Sequence, residues 1–240
     1  MAGVLVTRHL PEAEETASSL RRMGFEPFVS PVRQVEALNP LPVTGSFDGL
    51  IVTSRNALHD GLRLPEDFLR LPVFCVGARS AAMARKAGFG TVFAGGGDAE
   101  ALVKTIRGSV PAGARLLYLA GEPRRATIET ELARLGFHLE TRVTYRMACA
   151  DGLAGQAVTA LRTGAIAAAL HFSAESSRDF LVLAARAGVL EEAFRLHHVC
   201  LSATVAETFR SVGITEERLS IPAKPDQASL LALLRTQLTT

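Results

Sequence analysis

Hydrophobic positions along the chain follow two alternating patterns. Apolar runs of four to six residues, typical of buried strands, alternate with longer segments in which apolar residues recur at helical spacing. The pattern predicts strands at 4–8, 26–30, 49–54, 73–76, 91–94, 115–120, 138–146, 167–172, 197–201 and 219–221. It predicts helices at about 11–22, 55–62, 79–87, 98–107, 125–135, 153–163, 175–187, 203–211 and 226–237. Because such alternation builds parallel sheets covered by helices on both faces, we expect an α/β protein.

The same layout occurs twice along the chain. A shift of 112 positions aligns the N-terminal segment with a second segment without a gap, so that Pro11 meets Pro123 and Gly24 meets Gly136. Further along, the match continues with small changes of offset. Since α/β sheets bind ligands at their strand ends, two similar halves predict a binding cleft between them.

The least regular segment lies inside the first repeat, at 32–46. Its prolines and its lack of helical periodicity indicate a linker. The equivalent part of the second repeat is an extended run at 139–150, whereas the seam at 110–114 is typical of a short loop between a helix and a strand. We therefore expect the chain to cross between two domains twice, so that each domain contains pieces of both repeats. Contiguous domains divided near residue 112 are the alternative.

Composition argues against several classes of function. The 240 residues are 48% hydrophobic, which is enough for ordinary cores, and the net charge is only +2. Acidic and basic residues are interspersed, without a basic run that would follow a phosphate backbone. No segment approaches the ~18–20 apolar residues of a membrane span, and the first residues lack the layout of a signal peptide. We therefore expect a cytoplasmic protein that binds neither nucleic acid nor membrane.

Familiar cofactor and metal motifs are absent from the sequence. Cys75, Cys149 and Cys200 lack metal-ligand spacing, and the first and last occupy equivalent positions of apolar strands, as core residues do. No glycine-rich motif follows the first strand, which disfavours an NAD-dependent enzyme. His197 and His198 are adjacent on a strand and point to opposite faces, a poor arrangement for one metal ion. We expect neither a metal nor a cofactor.

Hydroxyl residues recur at the carboxyl ends of predicted strands, directly before helices. Such a junction presents backbone N–H groups at the positive end of a helix and adds a side-chain hydroxyl. One junction of this kind is usually only a helix cap. Five that open onto one cleft would suit a ligand with several carboxylates, particularly with arginines nearby. The junctions contain Thr7, Arg8, Thr53, Ser54, Arg55, Ser80, Ser173, Ser176, Ser202 and Thr204.

In these segments the chain resembles the uroporphyrinogen-III synthase family. The resemblance rests on the order of short segments along nearly the whole chain: Val4–Arg8, Phe47–Ser54, Phe74–Ala81, Leu117–Gly121, Val143–Tyr145, Phe172–Ser173 and Val199–Thr204. It implies two flavodoxin-like domains, each a doubly wound parallel sheet, joined by a two-stranded linker. The implied boundaries are 1–35 plus 150–240 for the first domain, 40–145 for the second, and linkers at about 33–46 and 143–150.

The resemblance also implies a reaction. Hydroxymethylbilane, a linear tetrapyrrole, loses water and closes to uroporphyrinogen III with inversion of ring D, in an interdomain cleft and without metal or organic cofactor. A hydrogen-bond donor would assist departure of the hydroxyl, and the cleft would fold the chain so that the unusual carbon is attacked. The alternative is a non-catalytic, two-domain binding or regulatory protein for an anionic small molecule, because fold does not fix function.

The resemblance assigns roles to particular side chains. Tyr145 falls in the family's connecting strand and becomes the candidate catalytic donor, although a tyrosine there could equally pack against the linker. His197 matches a position where some relatives carry lysine, with a solvent-exposed strand end as the alternative. The candidates for binding the acetate and propionate arms are Thr7, Arg8, Ser54, Arg55, Ser80, Ser173, Ser176, His197 and Thr204.

The sequence departs from the family pattern at two junctions. Val205 stands where relatives often carry a hydroxyl, which weakens any claim of acid catalysis at that position. Arg55 and Asn56 replace the common Pro-Arg order, so the position of the arginine stays open.

We further expect a monomer that receives its substrate from hydroxymethylbilane synthase.

Overall fold

The structure, a computed structural model, describes residues 1–39, 43–124 and 126–238. Residues 40–42 of the predicted linker and residue 125 of the predicted helix 125–135 lie outside this range. The strands are β1 Gly3–Val6, β2 Glu26–Val29, β3 Arg33–Ala37, β4 Gly49–Val52, β5 Pro72–Cys75, β6 Thr91–Ala94, β7 Arg115–Glu122, β8 His138–Cys149, β9 Ile166–His171, β10 His197–Cys200 and β11 Leu219–Ser220. The helices are α1 Glu12–Arg22, α2 Ala78–Lys86, α3 Ala99–Ser109, α4 Thr127–Arg134, α5 Gly155–Arg162, α6 Ala174–Arg186, α7 Leu190–Arg195, α8 Ala203–Arg210 and α9 Gln227–Leu238.

The chain forms two compact units, each built on one sheet. Unit 1 comprises Met1–Gln34 and the chain from Ala148 onward, and unit 2 comprises Val35–Met147. The sheet of unit 1 has the strand order β11-β10-β9-β1-β2, and its strands are parallel. The second sheet has the order β3-β8-β7-β4-β5-β6, with parallel pairing from β8 to β6. The predicted class of parallel α/β sheets is confirmed.

Each sheet combines strands of both sequence repeats. The 112-residue shift aligns Gly3 with Arg115 and Glu26 with His138, so β7 and β8 are the second-repeat equivalents of β1 and β2. The first sheet joins β1 and β2 to the later strands of the second repeat, and the second sheet joins β7 and β8 to the later strands of the first. Counted by repeat position, both sheets contain five strands in the order 2-1-3-4-5 of a flavodoxin-like sheet, and β3 adds a sixth strand at the edge of the second sheet. The duplication has therefore produced two equivalent sheets with exchanged halves.

Both faces of each sheet are covered, which explains the nearly continuous apolar runs. In β1, Leu5 packs with residues of α5 to α8, while Val4 and Val6 pack on the other face with residues of α1 and α9. Cys75 and Cys200 lie fully buried at equivalent strand positions, as predicted. Burial raises the pKa of Cys75 to about 11 and that of Cys200 to about 12.

The sequence prediction of a helix at 55–62 is wrong. Ser54 caps only a short 3-10 turn at Arg55–Ala57, where its Oγ accepts a hydrogen bond from Asn56 N at 3.2 Å. Leu58 then leaves the helical region, with φ −111° and ψ 60°. Leu58 and Leu62 both pack against the core of unit 2, and their spacing of four residues imitates a helical stripe.

One strand and one α-helix of the described residues were not predicted. Arg33–Ala37, inside the predicted linker, forms strand β3 beside β8. Most residues of β3 are exposed and two are charged, so the sequence contains no apolar run there. An edge strand of a sheet buries little of its surface and does not need such a run. Helix α7 has only six residues, fewer than a periodic pattern needs to be recognised. Among the described residues, no helix has the length and apolar character required to cross a membrane.

Candidate functional site

The carboxyl edge of the first sheet brings together five of the predicted residues. Thr7 and Arg8 follow β1, Ser173 and Ser176 follow β9, and Thr204 lies in the first turn after β10. Because these three strands are parallel neighbours, their carboxyl ends meet at one edge of unit 1. The structure therefore groups these five residues at one edge of the sheet.

Two of these residues are already held by neighbours within unit 1. Thr7 is buried, and its Oγ1 donates a hydrogen bond to the backbone oxygen of Leu170 at 3.0 Å, so it joins β1 to β9 and presents no hydroxyl to a ligand. Arg8 donates from Nη1 to Gln227 Oε1 at 2.8 Å. Its guanidinium also lies 4.3 Å from the ring centre of Phe172. Arg8 is thus oriented in advance by two contacts.

The two helices that start at this edge differ in how they are capped. Ser173 Oγ accepts a hydrogen bond from Ser176 N at 3.1 Å and donates to Ser176 Oγ at 2.9 Å, which closes the start of α6. Ser202 makes no side-chain capping bond at the start of α8, and Thr204 beside it is exposed. The hydroxyl of Thr204 at the start of α8 is therefore more accessible than those of Ser173 and Ser176 at the start of α6.

The remaining candidates fall on the second sheet, in unit 2. Ser54 and Arg55 follow β4 and are half-buried, and Tyr145 lies in β8. Ser80 lies in the first turn of α2 but is only 6% exposed. Ser80 therefore belongs to the packed side of α2 and does not offer its hydroxyl to a ligand.

Tyr145 owes its position to a glycine on the neighbouring strand. It pairs with Gly121 of β7, and a Cβ added to Gly121 would lie 2.1 Å from Tyr145 Cζ and 2.4 Å from its hydroxyl oxygen. The ring therefore occupies the space in which any other residue would carry its side chain. The same tyrosine packs against the buried cluster of unit 2 and is half-buried.

Tyr118 is a buried polar residue beside the end of β4 that the sequence pattern did not single out. It lies in β7, is 3% exposed, and places its hydroxyl 3.1 Å from Thr53 Oγ1 at the end of β4. Burial raises the pKa of Tyr118, opposed by the hydrogen bond from Thr53, and the phenol stays neutral at physiological pH. A signal existed in the sequence, because the chain has only two tyrosines and this one interrupts an apolar strand.

His197 does not lie with the other candidates of unit 1. It is the first residue of β10, at the amino end of the strand, and its Nε2 lies 2.8 Å from Ser220 Oγ. Burial lowers the pKa of His197, and the charge of Arg218 lowers it further. His198 points to the other face and is fully buried, as predicted for adjacent strand residues. Among the described residues, no group of three or more His, Cys, Asp or Glu is placed to hold a metal ion.

These features define a duplicated α/β protein whose candidate ligand groups lie at strand ends, with tyrosine, serine, threonine and arginine side chains. A family model described as uroporphyrinogen-III synthase HemD matches residues 14–232. The chain therefore belongs to the uroporphyrinogen-III synthase family, the cyclising lyases of heme biosynthesis.

Two solved structures that are similar to this chain are described by this enzyme name. Uroporphyrinogen-III synthetase from Helicobacter pylori is 16% identical, covers 99% of this chain and 100% of its own, and gives a TM-score of 0.60, which shows a shared fold. A mutant uroporphyrinogen III synthase from the extremely thermophilic bacterium Thermus thermophilus is 18% identical, with 100% and 99% of the two chains covered and a TM-score of 0.49. No curated protein matches the sequence significantly.

Proposed function

We propose that the chain converts hydroxymethylbilane to uroporphyrinogen III by a cofactor-independent, dehydrating cyclisation that inverts ring D. The observation that carries this proposal is the family match over residues 14–232. The neutral donors and arginines at the strand ends are consistent with a substrate that has acetate and propionate arms.

The first chemical step needs one proton at one place. The bond between the hydroxymethyl carbon and its oxygen breaks, and the pyrrole nitrogen stabilises the cation that remains. A donor placed at the oxygen lets it leave as water, and general acid assistance of this kind contributes about 10²- to 10⁴-fold. In this proposal the donor is the hydroxyl of Tyr145, whose ring lies in the space that Gly121 leaves open.

The second step depends on the conformation of the bound bilane. The new cation must be attacked by the substituted carbon of ring D, which gives a spiro intermediate that rearranges to the inverted ring. Holding the carboxylate arms in place supplies this orientation, which can contribute several kcal/mol. We propose that the arms are bound by Arg8, Ser173, Ser176 and Thr204 in unit 1 and by Ser54 and Arg55 in unit 2. That both edges face one cleft between domains 1–35 plus 150–240 and 40–145 stays a prediction from the duplication.

Isomer analysis tests the proposal directly. Hydroxymethylbilane generated by its synthase is mixed with the purified chain, and the products are oxidised and separated by chromatography. The expected product is the type III isomer, because free bilane closes without inversion. Type I product alone at every protein concentration would contradict the enzyme assignment and leave a non-catalytic binding protein.

A variant of the proposed donor tests its role. Tyr145→Phe keeps the ring beside Gly121 and removes the hydroxyl, and we expect kcat to fall by about 10- to 10³-fold. An unchanged kcat would reduce Tyr145 to a packing residue.

We also propose that the enzyme is monomeric and receives its substrate from hydroxymethylbilane synthase. Sedimentation of the chain alone and with that synthase tests both points.

A further inference from the structure

The residue before Tyr145 lies outside the regular pairing of β7 and β8. Ala120 pairs with Val143, but the next residue, Gly121, pairs with Tyr145, so Thr144 is an extra residue in β8. Such a bulge changes the direction of the side chain that follows it, and bulges are common beside active sites. The backbone conformation at Thr144 therefore sets the position and direction from which the Tyr145 side chain extends.

The Thr144 bulge is held on its backbone by His59. His59 Nε2 lies 3.0 Å from the Thr144 carbonyl oxygen and 3.2 Å from that of Leu38, the residue that follows β3. Leu38 N donates to the same Thr144 oxygen at 2.8 Å. Because neither carbonyl can donate, Nε2 of His59 must carry the proton and donate to both. One imidazole thus connects the bulge to the neighbouring strand.

The side chain of Thr144 is held by the same loop. Thr144 is fully buried, and its Oγ1 donates to the backbone oxygen of Ala57 at 3.0 Å. Ala57 lies two residues before His59, so a single short loop after β4 binds both the backbone and the side chain of the bulge. The planar peptide bond from Thr144 passes this constraint directly to Tyr145.

We propose that His59 is a positioning residue for Tyr145. By donating to the Thr144 carbonyl, it fixes the bulge that directs the Tyr145 side chain into the space above Gly121. His59 itself needs no contact with the substrate. The inference rests on the proposed function, because the role of the Tyr145 hydroxyl belongs to that proposal.

Two substitutions at His59 separate the donor from the bulk of the ring. His59→Leu removes the hydrogen bonds and retains an apolar side chain, whereas His59→Gln places an amide N–H close to the position of Nε2. We expect His59→Leu to lower kcat by about 10-fold with less than about a two-fold change in KM, and His59→Gln to restore most of the loss. In a Tyr145→Phe background, His59→Leu should change kcat by less than about two-fold, because its effect passes through the missing hydroxyl.

A spectroscopic measurement tests the positional role without substrate. The chain has no tryptophan and two tyrosines, so Tyr118→Phe leaves Tyr145 as the only strong ultraviolet fluorophore. In that background we expect His59→Leu to raise acrylamide quenching of the tyrosine about two-fold, and His59→Gln to leave it unchanged. His138→Ala is the matched control, since this histidine is exposed at the start of β8.

The possible results are separable. Equal losses from His59→Leu with and without the Tyr145 hydroxyl, or an unchanged quenching constant, would overturn the positioning role. A glutamine variant as impaired as the leucine variant would also overturn it. If the wild-type chain makes no type III product, the proposed function fails, while the quenching comparison still decides whether His59 holds Tyr145.

Discussion

Gly121→Ala provides a test of the Tyr145 position that leaves the tyrosine itself unchanged. The added methyl carbon would lie 2.1 Å from Cζ, 2.4 Å from the hydroxyl oxygen and 2.5 Å from Cε1 of Tyr145. Ordinary contacts between carbon atoms lie at about 3.5–4.0 Å, so the ring must move by roughly 1.5 Å. The backbone of β7 at Gly121 is paired with β8, and the tyrosine side chain is therefore the part that yields.

The expected cost falls on catalysis more than on stability. Overpacking inside a protein typically costs about 1–3 kcal/mol, and a half-buried ring that can rotate away places this substitution near the lower end. A misplacement of about 1 Å at a catalytic group can cost about 10²-fold in rate. We therefore expect kcat for type III product to fall by about 10²-fold, while the unfolding free energy falls by about 1 kcal/mol.

The assay compares type III formation and urea unfolding for the wild type and the variants. Gly90→Ala is the control, because a Cβ at Gly90 has no heavy atom within 4 Å and its φ is not positive. Tyr145→Ala supplies the second background, in which the space is vacated and Gly121→Ala should change neither rate nor stability. Wild-type kcat in Gly121→Ala, or an equal loss in the Tyr145→Ala background, would refute this account.

Three further predictions concern other parts of the molecule. Arg8→Ala should raise KM by about 10-fold, and more at low salt, if its guanidinium binds a substrate carboxylate; an unaltered KM at low salt removes it from the site. Burial lowers the pKa of His171 well below its ordinary value of 6.5, and it lowers that of His198 to about 3. Below pH 6.5 the unfolded chain therefore binds more protons than the folded chain. Stability should therefore decrease as pH falls from 6.5 toward 3, by up to about 1.4 kcal/mol per pH unit for each imidazole, and urea titrations that are flat in this window would contradict it. A thiol reagent at pH 8 should modify Cys149 first, because the thiols of the other two cysteines are fully buried. Peptide mapping that finds equal labelling of all three cysteines would contradict this burial.

Several parts of the molecule could be predicted from local sequence. The apolar runs identified the buried strands because parallel strands covered on both faces have no polar side, as Val4, Leu5 and Val6 show. Asp98 and Asp226 stand at the start of predicted helices and Ser54 before the predicted helix that is only a 3-10 turn, and each accepts a backbone hydrogen bond at the start of its helical segment. These features depend on neighbours within a few residues, which is why the sequence reveals them.

The candidate site was predicted only in part, for a physical reason. The strand-end rule located Arg8 and Thr204, but it could not show that Thr7 and Ser80 turn their hydroxyl groups into the packed interior. His197 entered through the family resemblance, although its place at the start of a predicted strand already put it at the other edge. Burial and strand direction decide these cases, and both arise from the whole sheet.

The sequence by itself determined most strands and helices, the duplication and the family to which this chain belongs, because each depends on short-range pattern or on residue order. The sequence predicted two crossings between domains, with contiguous domains as the alternative. Only the tertiary structure decided which strands of the two repeats share a sheet and where Tyr145 points. The direction of the Tyr145 side chain depends on Gly121 of the neighbouring strand. It also depends on His59, which lies 85 positions from Thr144 in the chain. Contacts over such separations leave no periodicity to detect, since they exist only once the sheet has assembled.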